Sequence, residues 1–400
     1  MSSASQTRDG IAVHGVVEPG YGPVLDEFVH NFDARHDLGS ACTVYRDGRV
    51  VVDVWAGTAD RRTGRPFERE TATVIFSCTK GVMAVCAYLL VQEGRLDLDS
   101  PIARYWPEFA QAGKDAITVR DAMAHRAGLS YLDTDLTLED VEAWDPVIRA
   151  IEVQRPHWWP ADGHAYHAAT IGWILGEVIR RITGLTAGTY FRAALGDPQG
   201  LATWIGLPAT ERDRVAWMEP PLPDEDSDIS REFAALGSER HLVRAMSLGK
   251  AFAFPAADGT VTFNDPRIQA SEIPGAGGIS NAASLARLYA ACVTGVDGGG
   301  PPLLSRASIE DGLRVRSEGP QLTGQPNDGA RWGSGFQITS PPYFPMLGPG
   351  SFGHTGAGGQ LAFGDIEYGA SFAYLTNQMG GFGDRRATSL TEALRGALRA

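Results

Sequence analysis

Ser77-Cys78-Thr79-Lys80-Gly81-Val82-Met83-Ala84-Val85-Cys86-Ala87-Tyr88-Leu89-Leu90 joins a Ser-x-x-Lys spacing to an apolar run that reads as a buried helix. In such a helix Ser77 lies in the first turn and Lys80 one turn along on the same face. Two effects then favour a reactive hydroxyl. The helix N-terminus offers partial positive charge and free N–H groups to a developing anion. An amine one turn away can take the serine proton if burial brings its pKa toward neutrality. The chain has only three lysines, and one of them stands here. The same letters would also suit a capping serine followed by a solvated lysine. Cys78 is a second candidate nucleophile, but it points to a different helix face from Lys80 and ranks below Ser77.

Upstream, Pro23 to Asp37 reads as an amphipathic helix with Val24, Phe28, Val29 and Phe32 on one side. Ala41–Tyr45 and Val50–Trp55 alternate about an Asp47-Gly48 turn, the signature of a β-hairpin. Downstream, Gly94 is placed to end the Ser77 helix. Residues from about 95 to 290 lean helical and loop-rich, with helices at Val119–His125 and Thr170–Thr183 (closed by Gly184), and Ser280–Val293 reads as a further amphipathic helix. Glu219–Asp226 is expected to be a solvated loop. Strand patterns return at Trp332–Thr339, Gln360–Asp365 and Ala370–Thr376, before a last helix at Ala387–Leu398. Strands at both ends with helices between them predict one α+β domain over 1–400. A sheet lobe from about 1–80 and 280–400 would close around a helical lobe from about 95–280. The Ser77 helix starts where the two meet, a natural place for a cleft.

Composition narrows the function classes. At 400 residues, 43% hydrophobic and 21% charged, the chain is globular rather than disordered. A net charge of −13 argues against nucleic acid or an anionic membrane as the main partner. The first residues lack the basic and apolar regions of a secretory signal, and no apolar run is long enough to span a membrane. Cys42, Cys78, Cys86 and Cys292 show no metal spacing, and a reducing cytoplasm is the expected home.

Two further segments carry chemistry. Trp158-Trp159-Pro160-Ala161-Asp162-Gly163-His164-Ala165-Tyr166 sets a phenol on a fixed edge before the Thr170 helix. Near Lys80, Tyr166 could relay protons to and from Ser77, although a tyrosine packed with its hydroxyl satisfied would read the same way. Trp158 suits either an apolar acyl pocket or simple packing. Phe352-Gly353-His354-Thr355-Gly356-Ala357-Gly358-Gly359-Gln360 is dense in glycine at the entry to a strand, so the backbone there must approach something closely. A backbone N–H there, paired with that of Ser77, would make an oxyanion hole. A tight turn without a ligand is the other reading.

These landmarks make the chain resemble the serine β-lactamase and penicillin-binding superfamily, in its class C β-lactamase-like branch that includes the family VIII carboxylesterases. The resemblance also rests on Leu96-Asp97-Leu98-Asp99-Ser100-Pro101, Ala124-His125-Arg126-Ala127-Gly128-Leu129 and Gly275-Ala276-Gly277-Gly278-Ile279-Ser280. It implies an antiparallel sheet flanked by helices plus an all-helical lobe. It further implies Ser77 as the acylated serine, Lys80 and Tyr166 as its proton partners, and Ser77 and Ala357 as the oxyanion N–H donors. His354, Thr355 and Gly356 fall at the Lys-Thr-Gly element that contacts substrate. By this resemblance Tyr166 begins the family's Tyr-x-Asn element, Ala168 stands where β-lactamases carry its asparagine amide, and the titrating imidazole of His354 replaces a fixed positive charge. Both departures point away from lactams and toward neutral carboxylic esters. The expectation is a serine carboxylesterase acting on small esters of short-to-medium acyl chain through an acyl-enzyme, with no metal or organic cofactor. A β-lactamase or D-peptidase, an acyltransferase, and a catalytically inactive scaffold of the same fold are the alternatives. An α/β-hydrolase is discarded because no Gly-x-Ser-x-Gly elbow is found.

Overall fold

The computed structural model describes residues 6–8, 10–222, 240–252, 259–298, 300–323, 329–342, 344–381 and 383–400. Its main sheet has ten strands in the order β1-β2-β4-β3-β13-β12-β11-β10-β9, with β5 paired to β4 off this path. The strands are β1 (Gln6–Arg8), β2 (Ile11–Val17), β3 (Gly39–Arg46), β4 (Arg49–Asp60), β5 (Arg65–Pro66), β9 (Arg331–Trp332), β10 (Gln337–Ile338), β11 (Ser351–Gly356), β12 (Gln360–Asp365) and β13 (Ala370–Thr376). Neighbours along it pair antiparallel, and β3 meets β13 with Val44 opposite Phe372. The two ends of the chain are thus sewn together at the middle of the sheet.

Alternation along the strands splits the side chains between two cores. Cys42, Val44, Phe363, Phe372 and Tyr374 face helices Gly22–Ala34 and Arg386–Arg399, which contribute Val24, Phe28, Val29, Leu390 and Leu394. Ala41, Tyr45, Ala362, Ala373 and Leu375 face the opposite way, into the core that holds helices Cys78–Gln92 and Ala282–Val293. Helix Thr170–Thr183 packs on the Ser77 helix from the side away from the sheet, burying Ile171, Trp173, Ile174, Leu175 and Val178. It stops at Gly184, whose φ of 76° is left-handed backbone that glycine adopts without steric cost.

Most predicted elements form, with shifted edges. The first helix ends at Ala34 rather than Asp37, because His36 takes a φ of 53°. Ser280 is the end of a strand, and the helix after it starts at Ala282, where Asn281 Oδ1 accepts the Ser284 N–H at 2.8 Å. Trp332–Thr339 divides into β9 and β10. The stretch read as helical and loop-rich also supplies part of a small second sheet, β6-β8-β7, from Thr73–Val74, Gly278–Ser280 and Thr203–Ile205. Of the loop predicted at Glu219–Asp226, residues 223–226 lie outside the described residues. Glu219 N donates to Asn377 O, so the start of that segment is tied to the sheet. Among the described residues no helix is long and apolar enough to cross a membrane.

Candidate active site

Ser77 is held by a turn that is over-determined locally. Phe76 before it has a φ of 43°, a conformation that costs energy in a bulky residue. Its ring is buried edge-on against Phe263, and its carbonyl accepts the Thr79 hydroxyl at 2.6 Å. Ile75 N donates to Gly278 O and Gly278 N donates to Thr79 Oγ1, so the turn is laced to the second sheet. Ser77 is the N-cap residue of helix Cys78–Gln92, with its side chain unspent on capping. It is half-buried, while Lys80, one turn on, is buried.

Lys80 Nζ lies 3.0 Å from Ser77 Oγ and donates to Ala168 O and Gly275 O, each at 2.7 Å. Three neighbours suit a tetrahedral nitrogen. An ammonium would donate to all three, whereas a neutral amine keeps two N–H groups for the carbonyls and turns its lone pair toward Ser77. Burial favours the second form, pulling the Lys80 pKa from 10.5 to about 7. Tyr166 OH donates to Ser77 Oγ at 2.8 Å, and its ring stacks on Trp332 with centroids 5.8 Å apart. Lys80 and Tyr166 therefore converge on one hydroxyl from separate segments of chain. Cys78, by contrast, is buried with its thiol pushed up to about 12, and it donates to His354 O.

That thiol also pins β11 against the Ser77 turn. Gly356 comes so close that a Cβ there would lie 2.6 Å from Ile75 O, so the glycine is required by contact and not by conformation. Thr355 and Ala357 are half-exposed at this edge, and Thr355 N and Oγ1 both donate to Gln337 Oε1. His354 faces the Ser77 helix, with its ring 6.0 Å from that of Tyr166 and its Nδ1 2.7 Å from Thr355 O. Here the structure corrects an expectation. His354 is buried, and desolvation with the nearby Lys80 pulls its pKa down to about 3, so the imidazole is neutral at working pH rather than titrating. Its Nδ1 then donates to Thr355 O, leaving Nε2 without a hydrogen-bond partner among the described residues.

Trp158 packs against His157 and His167 and is nearly buried. Three residues that the motifs do not single out shape the site. Trp332 stacks on Tyr166, Gln337 holds Thr355, and Gln321 Oε1 accepts the Tyr166 N–H at 2.8 Å. Trp332 has a faint sequence signal as the first residue of a strand pattern. Gln337 lies in the same pattern, and Gln321 has no signal.

Comparison with known proteins gives a consistent picture. A family model described as Beta-lactamase matches residues 25–396. The chain is 34% identical to Esterase/beta-lactamase LipL of Mycobacterium tuberculosis (strain ATCC 25618 / H37Rv), over 95% of this chain and 86% of the relative. Among solved structures, it resembles a family VIII carboxylesterase at 30% identity, with a TM-score of 0.83 over 96% of this chain and 99% of the other. It is equally similar in shape, at 34% identity and a TM-score of 0.83, to a penicillin-binding protein homolog from Caulobacter crescentus, with the same coverage of both chains.

Proposed function

The chain belongs to the beta-lactamase family, and from that premise we propose that it is a serine hydrolase cleaving carboxylic esters through an acyl-enzyme on Ser77. The observation that carries the reading is the convergence of Lys80 Nζ and Tyr166 OH on Ser77 Oγ, at 3.0 and 2.8 Å. The neutral Lys80 amine receives the serine proton as Oγ attacks the ester carbonyl. The N–H groups of Ser77 and Ala357 hold the oxyanion, with the positive end of helix Cys78–Gln92 behind it. Collapse expels the alcohol oxygen, which takes a proton from Lys80 or Tyr166. Water then attacks the acyl-enzyme, and its proton returns by the same groups. Every step uses side chains and backbone of this chain, with no cofactor.

The substrate is a small ester of neutral, short-to-medium acyl chain, bound along Thr355-Gly356 with His354 behind them. The His354 imidazole, uncharged at working pH, leaves this edge without the fixed positive charge that would meet a substrate carboxylate, and Ala168 offers no side-chain amide to an acylamino group. The relatives named as esterases support the same class. The chain acts as one domain, with the site between its sheet and its central helices. Four free, buried cysteines favour a reducing compartment, the cytoplasm.

Initial rates of wild type and Ser77→Ala on p-nitrophenyl acetate, butyrate and octanoate, with nitrocefin alongside, test the proposal. Ser77-dependent cleavage of the shorter esters with little nitrocefin turnover is expected. A preference for nitrocefin would make the chain a lactamase, and near wild-type activity in Ser77→Ala would end the assignment.

A further inference from the structure

Tyr166 is bracketed by one residue outside the Ser-Lys-Tyr set. The three consecutive amides of Ala165, Tyr166 and His167 donate to His125 O at 3.1 Å, Gln321 Oε1 at 2.8 Å and His125 Nδ1 at 3.1 Å. His125 therefore takes the N–H on either side of Tyr166, one with its backbone and one with its ring. The same ring lies 4.9 Å from the Tyr166 ring and 5.3 Å from that of Trp332, so it also limits where the phenol can tilt. The next carbonyl, Ala168 O, is a partner of Lys80 Nζ, so a shift of this segment would move both groups that meet Ser77. His125 itself has a φ of 61°, sparsely populated for a residue with a Cβ. Such backbone persists only where the surroundings over-determine it, and it gathers at functional sites.

We infer that His125 is the positioning residue for Tyr166, with its Nδ1 lone pair fixing the segment that sets the phenol and the Lys80 amine against Ser77. The inference rests on the hydrolase reading given above. The bracket requires a neutral imidazole protonated on Nε2, because Nδ1 must accept. Burial, reinforced by His167, Lys80, His354 and His164, holds His125 in its neutral form. The partner ring is matched to it. His167 Nδ1 donates to Ala165 O at 2.7 Å, and its Nε2 accepts the Leu129 N–H at 3.1 Å.

Two substitutions separate the acceptor from the packing. His125→Phe keeps a ring against Tyr166 but leaves the His167 N–H without an acceptor. His125→Asn gives up the ring and keeps an oxygen near the Nδ1 position, on a residue that tolerates left-handed backbone. A misplacement on the order of 1 Å costs about 10²-fold in rate. We therefore expect His125→Phe to lose at least ~10-fold in kcat with KM changed less than ~3-fold, and His125→Asn to stay within ~5-fold of wild-type kcat. The assay is steady-state hydrolysis of p-nitrophenyl butyrate, with circular dichroism melts to show that each variant is folded. A His125→Phe kcat within ~3-fold of wild type, or a folded His125→Asn as slow as His125→Phe, would overturn the inference. If His125→Phe does not fold, His125→Asn still decides, since a folded His125→Asn that loses more than ~10-fold contradicts the role given to the acceptor. Ser77→Ala run in parallel separates the two claims. An active Ser77→Ala removes the hydrolase reading, whereas an inactive one beside a normal His125→Phe removes only the inference about His125.

Discussion

The acid limb of the rate profile should belong to Lys80. Its ammonium would sit in a buried pocket, and burial pulls the pKa from 10.5 to about 7. At about 1.4 kcal/mol per tenfold, that fall represents about 5 kcal/mol of preference for the neutral amine. A lysine titrating at 10.5 would be only about 0.03% free base at pH 7, whereas one near 7 is about half free base. The kcat/KM for p-nitrophenyl butyrate should therefore rise with unit slope up to about pH 7 and level off above it, with about one-tenth of the plateau rate at pH 6. The imidazoles facing Lys80 do not confuse the limb, because His354 lies at about 3, His167 at about 4 and His125 well below 6.5. Initial rates from pH 5 to 10 at subsaturating ester would measure it. A limb centred above pH 9, or none between pH 5 and 9, would refute the assignment of the buried amine as base. The same shift sets a sign for stability. Between pH 7 and 10.5 the unfolded chain keeps a proton that the folded chain has lost, so the contribution of this group to stability rises with pH across that window. Lys80→Met should accordingly melt no lower than wild type at pH 7. It relieves the cost of folding with that amine deprotonated, about 4 kcal/mol at pH 7, against a loss of about 1 kcal/mol or more for each of the two carbonyls left without a donor.

Two further outcomes follow from the geometry. Tyr166→Phe keeps the stack on Trp332 and removes only the hydroxyl 2.8 Å from Ser77 Oγ, so kcat should fall by about 10²–10⁴ while the melting temperature stays close to wild type. Steady-state kinetics beside a thermal melt would check both halves. Gly356→Ala drives a methyl to 2.6 Å from Ile75 O, and the backbone must move at the strand edge beside Ser77. We expect at least ~10-fold loss of kcat/KM from that displacement, and unchanged kinetics would show that the edge is not held against the Ser77 turn.

What the sequence disclosed depended on how local each signal was. Ser77 and Lys80 are one helical turn apart, so their meeting follows from helix geometry alone, and the Thr170–Thr183 helix was legible from its period and from Gly184. The approach of Tyr166 to Ser77 is a contact across 89 residues, legible only through the order of family motifs. The edges that moved were decided by single backbone choices, such as the left-handed His36 and the cap at Asn281. Strand β2, Ile11–Val17, is not legible in the sequence although Ile11, Val13, Val16 and Val17 are β-branched, since His14 and Gly15 interrupt the alternation and its long pairing is with β4 rather than with a neighbouring strand pattern. The charge state of His354 is likewise set by its folded surroundings and not by its own motif. An imidazole titrates near 6.5 only when solvated, and what desolvates it here comes from the Ser77 helix and the neighbouring strands. Gln321 and Gln337 belong to no motif: Gln321 meets Tyr166 across 155 residues, and Gln337 meets Thr355 only once β10 pairs with β11.

Whether Ser77 forms the covalent intermediate is measured directly by the mass of the folded protein after brief exposure to a fluorophosphonate probe. A serine acylated in this way should take up one phosphonyl group stoichiometrically, located by peptide sequencing on Ser77, lost in Ser77→Ala and slowed at pH 5 relative to pH 8. Labelling elsewhere, or equal labelling of Ser77→Ala, would contradict it.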